Sequence, residues 1–342
     1  MVTCMGIISK IKQKILNQSD MYRFYEKEYE KNKSNADANA RIEKLERDLN
    51  NYKKSNDLIM KSYHEQFSTL FLYYDLKAKG HLKYNHLLNQ ELLNFVVNVC
   101  NKYDLKYWLD YGALLGAVRH KGFIPWDDDM DIAMTRKDYD KFKDVIAQEV
   151  KEHGLDDNIY IRIDISDIKP IPVLQLLYEK DLPGLLAGVD ISAYDFIEDI
   201  SKCNKESYKK VQNVVREKNK QGMPIDDALK DYFDEFDIGY DEQKYMIPGV
   251  DGFIEVLPNY NFFIAEYDQI FPLKEIEFEG EKYYAPNDCG FYLTKIYGNY
   301  LSVPQKIRTH QYRLNNLRKR EDGLEIYKNQ VLKLKKVNES FE

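Results

Sequence analysis

The amino-acid sequence predicts an α+β fold preceded by a long helical extension. Three observations predict it. The 342 residues are 44% hydrophobic, enough to bury a core. Residues 19–66 are highly charged and hold neither Pro nor Gly, as a long helix requires. From about residue 81 onward, helical apolar stripes are interleaved with short alternating segments of strand type.

The extension comes first. Ile7 to Leu16 mixes Ile and Leu with Lys10, Lys12 and Lys14, which reads as a frayed terminus or as a weak contact with a membrane surface. Ile42, Leu45, Leu49, Tyr52, Asn56, Ile59 and Tyr63 then alternate steps of three and four. That is a heptad seam with Asn56 at a core position, where Asn often fixes register, and it predicts a homo-oligomer through residues 38–66. The other reading is one long helix packed on its own domain.

The next elements follow in order. Leu88, Leu92, Phe95 and Val99 mark a helix stripe. Tyr107–Asp110 reads as a short strand, Ala113–Val118 as a helix and Gly122–Pro125 as a turn. Asp129–Met134 alternates acidic and apolar residues as a strand does. Thr135 then caps a helix whose buried face is Tyr139, Phe142 and Ile146. Ile159, Ile161, Ile163 and Ile165 alternate as one more strand, and Val189–Ile191 reads as another. Residues 201–260 read as a helical, mixed-charge insertion. Leu324, Tyr327, Val331 and Leu334 outline a helix in the basic tail, packed on the domain or offered to a partner.

Composition removes several function classes. A net charge of −7 argues against a nucleic-acid binder, which carries a basic field. Cys4, Cys100, Cys203 and Cys289 lie far apart with no CxxC pair, so neither a zinc site nor a disulfide framework is expected, and a reducing cytoplasm fits. No apolar run approaches the roughly 20 residues of a membrane-spanning helix.

The chemistry gathers in Trp126-Asp127-Asp128-Asp129-Met130-Asp131. On a strand, residues two apart share a face, so Asp129 and Asp131 point together, with Asp127 beside them if the extended backbone reaches back and Asp128 directed away. Crowded carboxylates repel and raise one another's pKa. A divalent cation removes that cost: Mg²⁺ or Mn²⁺ accepts carboxylate oxygens together with substrate phosphates. Gly112 stands at a strand-to-helix junction, where a bare backbone and a helix N-terminus make a phosphate seat. Arg119, His120 and Lys121 add cations nearby in sequence. Acids for a metal, amides for phosphate and cations for developing charge are the parts of phosphoryl transfer.

The run from Tyr107 to Asp131, YWLDYGALLGAVRHKGFIPWDDDMD, closely resembles the signature of the LicD family, which includes bacterial phosphorylcholine transferases and is related to the fukutin group. Further blocks follow at Asp190–Asp195, Phe271–Leu273, Phe278–Gly280 and Tyr297–Tyr300, ending near Arg308 and His310. The resemblance covers about residues 85–312 and implies a nucleotidyltransferase-like core, a small mixed sheet flanked by helices. It matches Asp129 and Asp131 to the metal-binding pair, Asp190 to a third metal-binding carboxylate on a neighbouring strand, and Asp127 to an adjacent catalytic acid. Asp164 rivals Asp190 by position alone. Gly112, Leu115, Arg119, His120, Lys121 and Trp126 become donor-binding candidates. Ala113 stands where the family has Thr, and Ser192-Ala193 where it has Phe-Pro, so the identity of the substrate does not transfer.

The expected organisation is a helical region over 1–80, a catalytic domain over 81–312 and a basic helical tail over 313–342. The expected activity moves phosphocholine, ribitol phosphate or glycerol phosphate from a CDP-linked donor to a hydroxyl of a cell-surface glycan. It would take place in the cytoplasm, with a peripheral position at the inner face of the membrane as one reading. Two rivals stand beside it: a glycosyltransferase using a UDP-sugar through its DxD, and a non-catalytic coiled-coil scaffold.

Overall fold

The computed structural model describes residues 19–30, 39–73, 77–163, 173–178, 186–254, 256, 260–302 and 320–341. These fall into two compact units that divide after Asp75.

The first unit is helical. Helix α1 covers residues 19–30 and α2 runs from Asn39 to Tyr73. All seven heptad residues are half-buried. Part of that cover comes from α1 of the same chain, since the Tyr22 and Tyr52 rings lie 6.2 Å apart and Lys53 sits over Tyr22. The lysine-bearing segment Ile7 to Leu16 lies outside the described residues.

The second unit is a mixed sheet flanked by helices. Helix α3 (His81–Lys102) buries Leu88, Leu92, Phe95 and Val99 against it. Strand β1 (Tyr107–Leu109) leads through Asp110 into α4 (Tyr111–His120). Strand β2 (Met130–Thr135) follows, and Thr135 accepts the Asp138 N–H to cap α5 (Arg136–Glu152), as its sequence indicates. Strands β3 (Ile159–Arg162), β4 (Leu174–Tyr178) and β5 (Ala187–Ile197) complete the central sheet in the order β1-β2-β5-β4-β3. All eleven residues of β5 are buried, as a central strand covered on both faces must be. β2 and β5 run parallel, while the other pairs are antiparallel.

One departure from the sequence reading concerns the second half. Residues 201–260 are not helical throughout. After α6 (Lys205–Lys220), α7 (Ile225–Ala228) and α8 (Lys230–Phe236), the chain forms β6 (Tyr245–Pro248), which joins the end of β5. Four residues ending in Pro carry too little pattern to read as a strand. Strand β7 (Ala265–Glu266) pairs with β6 and runs into the single turn α9 (Tyr267–Ile270). The chain then makes a hairpin of β8 (Lys274–Phe278) and β9 (Glu281–Ala285), helix α10 (Cys289–Tyr297) and finally α11 (Gly323–Asn338). Helix α11 packs on α3 with Tyr327 and Leu334 fully buried, which agrees with the reading of a tail helix packed on the domain.

Candidate active site

The turn before β2 decides where the acids go. Asp127 N–H bonds to Ile124 O at 2.9 Å, and the strand begins only at Met130. The two-residue alternation of a strand therefore does not reach Asp127 and Asp128. Asp128, expected to face away, is buried, and its carboxylate gathers with those of Asp127 and Asp129 within 4.8 Å. Asp131 lies on β2 proper, directly opposite Asp190 of β5. Opposed residues in a sheet share a face. The structure thus brings together four of the acids singled out in the sequence, Asp127, Asp129, Asp131 and Asp190, and adds Asp128. Asp164 and His310 lie outside the described residues.

Asp131 feels this crowding most. Burial, then Asp129, Asp190, Asp127 and Asp110, holds its carboxyl well above the usual carboxylate range. Its described bond comes from the Gly112 N–H, at 3.3 Å. Gly112 lets the acids come close: a Cβ would stand 2.6 Å from Asp127 Oδ2, so that carboxylate would have to shift. At the preceding residue Tyr111 takes φ 35°, a left-handed strain for a buried tyrosine, with its own N–H held at 2.8 Å by Asp110 Oδ1. Two of the first amides of α4 therefore go to carboxylates, which narrows the phosphate seat expected there.

The sheet's neighbours hold the acidic loop in place. Asn85, His86 and Asn89 form a buried polar row on α3. His86 Nε2 donates to Asp127 O at 2.7 Å, and its ring stacks on Phe123 at 4.1 Å. Burial lowers its pKa to about 4, so it stays neutral at physiological pH. Asn89 donates to Asp128 O at 2.9 Å and accepts the Gly188 N–H at 2.8 Å, tying the loop to the start of β5. Polar residues at helical spacing carry no mark of their partner, so these went unread in the sequence.

Aromatic residues close the other side. Tyr111 meets Tyr260 at 4.7 Å between ring centres, and Tyr260 meets Tyr297 at 5.7 Å. Burial, with Asp131 and Asp127 among the neighbouring charges, pushes both the Tyr260 and Tyr297 hydroxyls up. Behind them, Asp110 Oδ1 accepts from Tyr292 at 2.8 Å, and Tyr292 joins Tyr194 at 2.6 Å. Asp110 is fully buried, and desolvation raises its pKa to about 7.

The remaining candidates are placed differently. Leu115 is buried in the apolar core. Arg119 and His120 end α4, about 10–12 Å along the helix from Gly112. Arg119 donates to His120 Nε2 at 3.0 Å and to Tyr300 O at 3.3 Å, and its guanidinium lies near Tyr297. Burial, then Arg119, lowers the His120 pKa to about 4. Lys121 is exposed and faces Glu277 of the β8–β9 hairpin at 3.6 Å. Trp126 is half-buried against the core. The hairpin tip explains a motif block: Glu279 N–H bonds Lys121 O at 2.8 Å, and its carboxylate accepts the Phe123 N–H at 3.1 Å. Phe278–Gly280 thus holds the segment leading into the acids.

A mixed sheet with carboxylates crowded at the meeting of two parallel strands defines a transferase core of the nucleotidyltransferase type. The LicD resemblance is established over its first part. Residues 104–171 match the family model described as LicD/FKTN/FKRP, nucleotidyltransferase domain. The chain is also 29% identical over 251 residues to the lipopolysaccharide cholinephosphotransferase LicD of Haemophilus influenzae, covering 65% of this chain and 92% of that protein. It is 43% identical over 49 residues to the ribitol 5-phosphate transferase FKRP of Homo sapiens and of Mus musculus, 14% of this chain and 10% of each.

Proposed function

We propose that this protein transfers a phospho-substituent, phosphocholine or ribitol or glycerol phosphate, from a CDP-linked donor to a hydroxyl of a cell-surface glycan. The similarity to a cholinephosphotransferase and to ribitol 5-phosphate transferases supports a transferase of this class. The single observation that carries the site is the register of Asp131 with Asp190 beside Asp127 and Asp129, a partly buried cluster in which desolvation, and then the neighbouring carboxylates, raise the Asp131 pKa.

That cluster fits a divalent cation. Its donors are carboxylate oxygens, the set that suits Mg²⁺ or Mn²⁺, and a cation relieves the repulsion that Asp131 bears. Asp129, Asp131 and Asp190 would hold it. Bound there, a divalent cation supplies Lewis-acid stabilisation of phosphoryl oxygens. The acceptor hydroxyl attacks the phosphorus that bears the alcohol, the bond to the CMP oxygen breaks, and CMP leaves. Asp127 or Asp190 takes the hydroxyl proton. Tyr111, Tyr260 and Tyr297 exclude water from one side. No described helix is long and apolar enough to cross a membrane.

The test is CMP release from CDP-choline, CDP-ribitol and CDP-glycerol with Mg²⁺, comparing the unaltered protein with Asp131→Asn and Asp190→Asn. Turnover with one donor, reduced at least a hundredfold in both variants while their melting is preserved, is the expected result. Undiminished turnover in both variants contradicts the scheme.

A further inference from the structure

The acids do not end the polar row on their sheet face. Gln175 of β4 lies directly opposite Asp190, and Arg162 of β3 directly opposite Gln175. Asp131, Asp190, Gln175 and Arg162 therefore form one line across four strands, two acids, an amide and a cation. The bonds run along it. Fully buried Gln175 donates its amide to Asp190 Oδ1, and its carbonyl accepts from Arg162 Nε at 3.0 Å and from Nη2. The amide is thus oriented from both ends.

This row places a guanidinium one amide group from the carboxylate cluster. Arg162 is half-buried on a strand that, among the described residues, pairs on one side only. A guanidinium carries five N–H donors in a rigid fork. Two of them go to Gln175, and among the described residues Arg162 makes no ion pair. The part of the fork that meets no described residue has the geometry of a bidentate phosphate contact. The three cations near the acids in sequence, by contrast, sit at the far end of α4 or in solvent.

Resting on the function proposed above, we propose that Arg162, held by Gln175, binds the diphosphate of the CDP-linked donor. One sheet face then presents the carboxylates at its β2–β5 centre and a phosphate-binding cation at its β3 edge. Gln175 couples the two, because the hydrogen bonds that fix the guanidinium also fix Asp190.

The experiment is calorimetric titration of the full-length protein with Mg²⁺ alone and with CDP in Mg²⁺, for the unaltered chain, R162Q and R162K. Gln at position 162 still donates an amide N–H toward Gln175 but has no charge. R162Q is expected to bind Mg²⁺ and to melt as the unaltered protein does, and to lose about tenfold or more in CDP affinity, the scale of one charged hydrogen bond. R162K is expected to recover part of that loss. CDP affinity in R162Q within twofold of the unaltered chain overturns the assignment and leaves the functional reading standing. Loss of Mg²⁺ affinity together with CDP affinity overturns it too, reducing Arg162 to a positioning residue for Asp190. An unaltered protein that binds no CDP in Mg²⁺ overturns the functional reading, and this assignment with it.

Discussion

Asp131 is a carboxylate the fold makes expensive. Half-buried, desolvated and faced by Asp129, Asp190 and Asp127, it has a pKa held well above the ordinary range, and Asp110 behind it is raised to about 7. A carboxyl whose pKa is higher folded than unfolded contributes stability that is full below the unfolded value and is lost as pH rises through the folded one. Metal-free protein should therefore lose melting temperature between about pH 4 and pH 7 on account of Asp110, and Asp131 should extend the loss upward. Adding Mg²⁺ at pH 8 should restore the Asp131 share. Scanning calorimetry across that range checks this, and a flat profile in chelator opposes it. Gly112→Ala makes a second prediction at this scale. The new methyl meets Asp127 Oδ2 at 2.6 Å, so that carboxylate must move, and Mg²⁺ affinity should fall further than in Gly222→Ala, which is strained by its φ of 93° but has no neighbour within 4 Å. Equal Mg²⁺ affinity in the two variants would remove the steric account.

The elements that hold the site were unevenly legible in the sequence. The acid-apolar alternation of Asp129–Met134, the Thr135 cap and the α3 stripe depend on neighbours in the chain, and each stands as read. The partnership of Asp131 with Asp190 came only through the family pattern, because strand pairing across 59 residues leaves no local trace. Asp128 was misplaced because a turn, and not a strand, carries it. His86, Asn89, Tyr260 and Tyr297 were missed, since each gains its role from a partner brought by the tertiary fold. The α3 clamp gives a prediction of its own. Asn89→Ala leaves Asp128 O and the Gly188 N–H without the bonds they have now, which costs roughly 1–3 kcal/mol for each buried group. Chemical denaturation should show that loss, and Mg²⁺ affinity should fall beyond it. A stability within 0.5 kcal/mol of the unaltered chain, about the scatter of a surface change, would count against the clamp. Helix α11 gives another. Leu334→Ala should cost about 2–5 kcal/mol as a buried leucine does; a neutral result would make α11 an accessory.

At the scale of the whole molecule, the catalytic unit carries its own core. Its sheet, α3, α5 and α11 bury their apolar faces against one another. A chain beginning at Leu76 is expected to melt in one cooperative transition and to keep Mg²⁺-dependent CDP binding. Failure of that fragment to fold would make the first unit a structural requirement. The heptad seam is half-buried and partly covered by α1 of its own chain, while α2 presents Leu58, Phe67 and Leu70 to solvent outside that seam. Sedimentation equilibrium of residues 1–80 tests self-association there, and a strict monomer at high concentration would limit the seam to packing within one chain.

The central claim, metal-dependent phospho-transfer at the β2–β5 acids, is tested most directly by calorimetric titration of CDP and UDP, with and without Mg²⁺, beside Asp129→Ala. The account predicts CDP binding that requires Mg²⁺, exceeds UDP binding and disappears in the variant. Preference for UDP would point to a glycosyltransferase, and binding of neither nucleotide by the folded protein would contradict the account outright.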